Sequence, residues 1–119
     1  MTPYAGTVTT APSLHVRVAR GFLARARGLL LRPRLARDQA LLIPRCSSIH
    51  TFGMAYPIDV VFLDPLGRVV RVVPELEPWR LAVQLGAAAV LELSPGSADK
   101  FGIVVGTQMT ALQTLVAAR

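Results

Sequence analysis

Cysteine and histidine are scarce in this sequence: Cys46, His15 and His50 are all it holds in 119 residues. A lone thiol excludes an internal disulfide, and so few sulfur and nitrogen ligands exclude a closed tetrahedral zinc set. Lysine is rarer than either arginine or acid, since Lys100 is the one lysine among 13 basic residues and the rest are arginine. Charged residues reach only 17% and aromatics 6%, against 52% apolar residues, a balance that excludes intrinsic disorder. Long apolar runs are missing too. The longest uncharged stretch, residues 101–118, is interrupted by Gly102, Gly106, Gln108, Thr110 and Gln113 and is too polar to span a bilayer. Met1 to Thr10 has no basic segment leading into an apolar one, so a secretory signal is not expected and the cytoplasm is the expected location.

What is present fits one hydrophobic core. Residues 14–116 are read as a single domain, with residues 1–13 and 117–119 as tails. The net charge of +6 is concentrated early: eight arginines up to Arg45 stand against Asp38 alone. Leu14 to Ala19 alternates as a half-buried strand with His15 and Arg17 outward. From Arg20 to Leu31, Phe22, Leu23, Ala26, Leu29 and Leu30 share one arc of about 120°, the stripe of an amphipathic helix ended by Pro33. Ala40 to Ile43 reads as a strand closed by Pro44, and Arg45 to Pro57 as irregular.

Ile58 to Leu63 and Arg68 to Val73 form a hairpin around Asp64-Pro65-Leu66-Gly67, where proline sets the turn and glycine supplies positive φ. With Asp64 opposite Arg68, simple register places Val61 opposite Arg71 and Asp59 on the diagonal, within reach of a charge pair. Pro74, Pro78 and Trp79 mark a turn or extended crossing. Val90 to Leu93 is a strand; Ser94-Pro95 reads as an N-cap and first turn of a short helix stopping at Gly102. Met109 to Val116 is expected to be a last strand. The fold class is therefore mainly β, a compact antiparallel sandwich or barrel-like domain with two short helices, and the βα alternation of a parallel sheet is absent.

Cys46, Ser47, Ser48, His50 and Thr51 form the densest polar cluster, with Asp59 following inside a strand. A thiol, an imidazole and a carboxylate can make a nucleophile, its base and an orienting group, or an open metal site. Extended chain would separate Cys46 from His50 by about 13 Å, so either chemistry requires a bend. Structural roles serve equally: a small buried thiol, turn serines, and a carboxylate that holds Arg71 or caps the bend at Pro57. Asp59 shares a strand face with Val61 and Leu63, where an ionised group must be paired. Phe52, Met54, Tyr56 and Trp79 offer apolar walls for a pocket beside it. The arginine-rich first third suggests anion or nucleic-acid binding, but no aromatic residue except Phe22 lies between positions 5 and 51 to stack on bases, which disfavours nucleic acid.

Four segments in order, residues 25–32, residues 51–64 (Thr-Phe-Gly-Met-Ala-Tyr-Pro-Ile-Asp-Val-Val-Phe-Leu-Asp), the return strand 67–73, and residues 90–106 ending Lys-Phe-Gly-Ile-Val-Val-Gly, resemble the domain-of-unknown-function family numbered 192. The resemblance spans roughly residues 14–112. It implies a mainly antiparallel β domain with short helices, and it implies no reaction or ligand. Met54 and Asp59 match the common pattern of the family, whereas Phe52 to Pro57 replaces its aromatic-Trp-Met-Lys-Asn-Thr segment. The reading is a non-enzymatic accessory or ligand-binding module built on His50, Thr51, Met54, Asp59 and Trp79, with Arg27 or Arg32 approaching from the helix. It implies no cofactor, and a small molecule or a protein as partner. The alternatives are a small hydrolase or metal-dependent enzyme using Cys46, His50 and Asp59, and an anion or nucleic-acid binder.

Overall fold

Three strands are buried on both faces, as strands in the middle of a covered sheet must be. The computed structural model describes the backbone of residues 4–10 and the whole of residues 14–19 and 34–116. Its strands are β1 (Tyr4–Thr10), β2 (Leu14–Ala19), β3 (Gln39–Pro44), β4 (Ser48–His50), β5 (Ile58–Leu63), β6 (Val69–Leu76), β7 (Leu81–Val83) and β8 (Ala89–Leu93). Six of them form one sheet in the order β1-β2-β3-β8-β5-β6, and β4 pairs with β7 in a separate antiparallel ribbon. Every residue of β5 and β8 is buried. The mainly β class holds, and the sheet does not close into a barrel.

Side chains alternate across each strand, so the sheet has two cores. One face gathers Leu14, Val16, Val18, Val61, Leu63, Leu91 and Leu93, covered by Ala98, Ile103, Met109, Leu112 and Val116. The other gathers Leu41, Ile43, Ile58, Val60, Phe62 and Val90, covered by Met54 and Ala82. The ribbon therefore lies over the second face, and the segment from Ala98 to Val116 over the first.

Several expectations change. Residues 4–10, taken as tail, pair antiparallel with β2 as strand β1. β2 and β3 pair in parallel, so the sheet is mixed; a parallel neighbour needs a long crossover, and the chain between them, from residue 20 to 38, is long enough to supply one. The amphipathic helix expected at Arg20 to Leu31 falls outside the described residues. Met109 to Val116 is not a strand but a 3-10 turn (Thr110–Leu112) running into helix α2 (Gln113–Val116). Its buried residues Met109, Leu112 and Val116 carry the spacing of a helix, three and then four apart, which outweighs weak alternation.

The hairpin forms with Asp64 opposite Arg68: the Asp64 N–H donates to the Arg68 carbonyl at 2.9 Å, and Asp64 Oδ1 accepts the N–H groups of Leu66 and Arg68. Gly67 has φ +80°, and a Cβ there would meet the Met109 carbonyl oxygen at 3.1 Å. Beyond the turn the register slips. A bulge between Phe62 and Leu63 sets Phe62 opposite Arg71 and Val61 opposite Val72. Arg71 consequently stands away from Asp59; its Nη1 donates to the Val83 carbonyl at 3.0 Å and ties the edge of the sheet to the ribbon.

β6 does not stop at Pro74. A second irregularity between Ile58 and Val60 accommodates the proline, which has no N–H for the ladder, and puts Glu75 at φ +48°. Asp59, 1% exposed, fills the resulting gap: its Oδ1 accepts the Glu75 N–H at 2.9 Å and its Oδ2 accepts the Ala98 N–H at 2.9 Å. Ala98 is the second residue of helix α1 (Ser97–Lys100), whose N-cap is Gly96 at φ 86° with no side-chain cap of its own. Ser94 and Pro95 thus precede the cap, and the carboxylate that caps this helix comes from a strand. Neither Arg71 nor the Pro57 bend is its partner.

Asparagine at position 59 offers one carbonyl oxygen for two separate N–H groups. Asp59→Asn is expected to lower stability by about 1–3 kcal/mol, and Asp59→Ala by more. Urea unfolding checks this; an Asp59→Asn protein as stable as the parent would show that the two bonds contribute nothing.

Candidate functional site

The polar cluster and the carboxylate are separated by the sheet. Asp59 faces the side of Ala98 and Ile103, whereas Cys46 and Ile49 pack against the core of the other side. The Cys46 thiol donates to the Ser48 carbonyl at 2.9 Å. Cys46, His50 and Asp59 are therefore not assembled into one centre. Among the described residues no three His, Cys, Asp or Glu side chains lie close enough together to hold a metal ion. Arg27 and Arg32 lie outside the described residues.

His50, Thr51 and Trp79 do come together. His50 ends β4 opposite Leu81 of β7, on the outer face of the ribbon, and its Nδ1 accepts the Phe52 N–H at 3.2 Å. The His50 and Phe52 rings are 5.0 Å apart, and Phe52 stacks on Trp79 at 6.0 Å with an interplanar angle of 22°. These rings are in water: Phe52 is 45% and Trp79 66% exposed. Leu81 and Val83, also exposed, continue the apolar surface along β7, while Ala82 between them points into the core. A row of two aromatic rings, an imidazole and two aliphatic side chains left uncovered is the kind of surface that marks a contact site.

Thr51 is the reason this row has a fixed shape. It is fully buried, and its backbone N–H donates to the Arg80 carbonyl at 2.9 Å while its carbonyl accepts the N–H groups of Met54 and Trp79. Its hydroxyl donates to the Glu77 carbonyl at 2.6 Å and accepts the Arg80 N–H at 2.9 Å. The loop between β6 and β7 is thereby clamped, and Trp79 is held at φ 64°. For a bulky side chain that conformation is strained by about 1–3 kcal/mol and persists only because its surroundings impose it. Met54 is 8% exposed and belongs to the core beneath the clamp. Among the sequence candidates, then, Thr51 and Met54 position the surface, and His50 and Trp79 form it. Phe52, expected as a pocket wall, is the ring that joins them.

Two residues beside this region were not singled out as a pair. Glu92 is 1% exposed at the middle of the sheet on the same face, and its charge acts on Tyr56. Tyr56 packs its ring under the Arg34 guanidinium, 4.3 Å from centroid to Cζ, and its hydroxyl is buried with no hydrogen-bond partner among the described residues. Burial pushes the Tyr56 hydroxyl above its ordinary value of 10.0; Arg34 opposes the shift and Glu92 adds to it. No sequence period marks Glu92, because a carboxylate between Leu91 and Leu93 looks like the polar face of an ordinary strand.

These features describe a small β domain of one six-stranded sheet overlaid by an aromatic two-stranded ribbon. The chain belongs to the DUF192 family, described as uncharacterized ACR, whose model matches residues 6–111. Curated relatives carry the family name UPF0127: one from Thermococcus sibiricus is 33% identical over 99 residues, covering 79% of this chain and 64% of that protein. Another, from Pyrococcus horikoshii, is 40% identical over 83 residues, covering 67% of this chain and 71% of that protein. The chain thus spans less than two thirds of the length of the Thermococcus relative. Among crystal structures, a Novosphingobium aromaticivorans protein of unknown function superposes with a TM-score of 0.70 at 24% identity, over 84% of this chain and 79% of that one. A proposed transcription regulator from Sinorhizobium meliloti superposes with a TM-score of 0.74 at 23% identity, over 89% and 93%. Both likenesses are of fold. No helix among the described residues is long and apolar enough to cross a membrane.

Two substitutions test this geometry. Thr51→Val keeps the shape and deletes the hydroxyl, leaving the Arg80 N–H and Glu77 carbonyl unpaired; stability should fall by about 1–3 kcal/mol, and Trp79 fluorescence anisotropy should fall with it, while Thr51→Ser preserves both. Unchanged anisotropy in the valine variant would mean the clamp does not hold the ring. For Tyr56, the unfolded chain loses its phenolic proton before the folded one, so the contribution is complete below pH 10.0 and disappears as pH rises through the higher folded value. Tyr56→Phe should flatten the alkaline loss of stability and leave neutral-pH stability unchanged or raised, as thermal unfolding between neutral and strongly alkaline pH will show.

Proposed function

We propose that the protein is a non-catalytic binding module whose contact surface is the His50–Phe52–Trp79 row, extended along β7 by Leu81 and Val83. One observation carries the reading: a tryptophan 66% exposed and held at φ 64° by a fully buried threonine. An exposed indole at a strained backbone position adds little to folding, since its stacking on Phe52 contributes about 0.5–1.5 kcal/mol against a strain of similar or larger size. The balance makes sense when the ring is kept for something outside the fold. Flat aromatic faces presented by a rigid ribbon suit a ligand or partner that offers a planar ring or an apolar face. The hydrolase alternative loses its named residues, since Asp59 lies across the sheet from Cys46.

Trp79→Gly tests both halves of the argument. Glycine takes positive φ without strain, so the variant should unfold within about 0.5 kcal/mol of the parent or above it. Native mass spectrometry of the protein purified from its own host should find a retained component in the parent and not in the variant. In parallel, adenosine monophosphate and methyl glucoside serve as probes with a flat or apolar face, read through the lone tryptophan's emission. A strongly destabilised glycine variant, or a parent that retains nothing and responds to none of the probes, would overturn the reading.

A further inference from the structure

We propose that a second site, on the opposite face of the sheet, binds a small organic cation: an ammonium or guanidinium group carried on an apolar body. A groove of about 530 Å³ opens between β6 and α1, within the range of small-ligand pockets. Val72, Pro74, Ile103, Val104 and Val105 wall it, and Val104 and Val105 stand 61% and 65% exposed. Among the described residues, the charged ones that line it are Asp59, Glu75 and Asp99, with no lysine, arginine or histidine beside them. In a chain of net charge +6 this is a local reversal of sign. Lys100, the neighbour of Asp99, is not part of the lining; its Nζ sits 5.4 Å from the Phe101 ring centroid.

Asp59 gives the site its selectivity. It is 1% exposed and accepts one backbone N–H on each oxygen, and a carboxylate oxygen can accept two. An anion would meet three like charges. A neutral apolar ligand would strip water from the exposed Glu75 and Asp99 carboxylates at the groove and supply no counter-charge. A cation supplies that charge while its apolar body covers the valines. A bare metal ion is a poor occupant, since the groove is far larger than one ion and its walls are mostly aliphatic.

The experiment compares three six-carbon probes of equal length on the full chain: hexylammonium, hexanol and hexanoate, followed by the methyl resonances of Val72, Ile103, Val104 and Val105. Hexylammonium should shift these signals saturably, hexanol should bind about tenfold or more weakly, and hexanoate should not bind. Glu75→Gln and Asp99→Asn, both exposed positions, should each weaken hexylammonium by about two- to fivefold and leave the unfolding transition in place. Trp79 emission should not respond, which separates this site from the aromatic surface. Equal binding of hexanol, preference for hexanoate, no shift with any probe, or insensitivity to both substitutions would overturn the proposal.

Discussion

A single buried carboxylate joins the parts of this fold that would otherwise be left unfinished. Pro74 removes a donor from β6, Glu75 turns out of the ladder, and α1 starts at a glycine that has no side chain to cap it. Asp59 answers the last two, with one oxygen for each orphaned N–H. The sheet edge and the first turn of α1 are thus registered to each other through one residue of β5. A carboxylate in such a place is stable as long as both oxygens are engaged, because the bonds replace the water that burial removed.

The same sheet separates two kinds of surface. On one side a short ribbon shows rings to the solvent and is stiffened from below by Thr51. On the other, an aliphatic groove closes on carboxylates. Asp59 and Val60 are adjacent in sequence and yet belong to different faces, and this alternation keeps the polar cluster of residues 46–51 from ever meeting Asp59.

Much of the fold was legible in the sequence, for reasons tied to local chemistry. The Asp64–Gly67 turn, the apolar runs at Ile58 and Val90 and the family resemblance all rest on short-range signals. The parallel pairing of β2 with β3 was not legible, because pairing partners distant in sequence leave no local mark. The register of Arg71 failed on a bulge, which a count of residues from the turn cannot foresee. Met109, Leu112 and Val116 did carry a helical spacing, but four residues of α2 are too few for a period to stand out against alternation. At the candidate site, the importance of Thr51 was visible only as proximity to His50; its four-way clamp on Glu77, Trp79 and Arg80 closes across 26 to 29 residues of chain. The strain at Trp79 has no sequence signature, since nothing in a Pro-Trp-Arg segment reveals the sign of φ.

The β4–β7 ribbon makes its ladder bonds within itself, and it rests on the sheet through Ile49, Ala82 and the Arg71 strap. The outward side chains of Leu81 and Val83 take no part in these ties, since Val83 accepts Arg71 through its backbone carbonyl. The ribbon can therefore be rewritten on its outer side, ring for ring or chain for chain, while the frame beneath keeps its register. A fold so divided lets its outer surface change at little cost to folding.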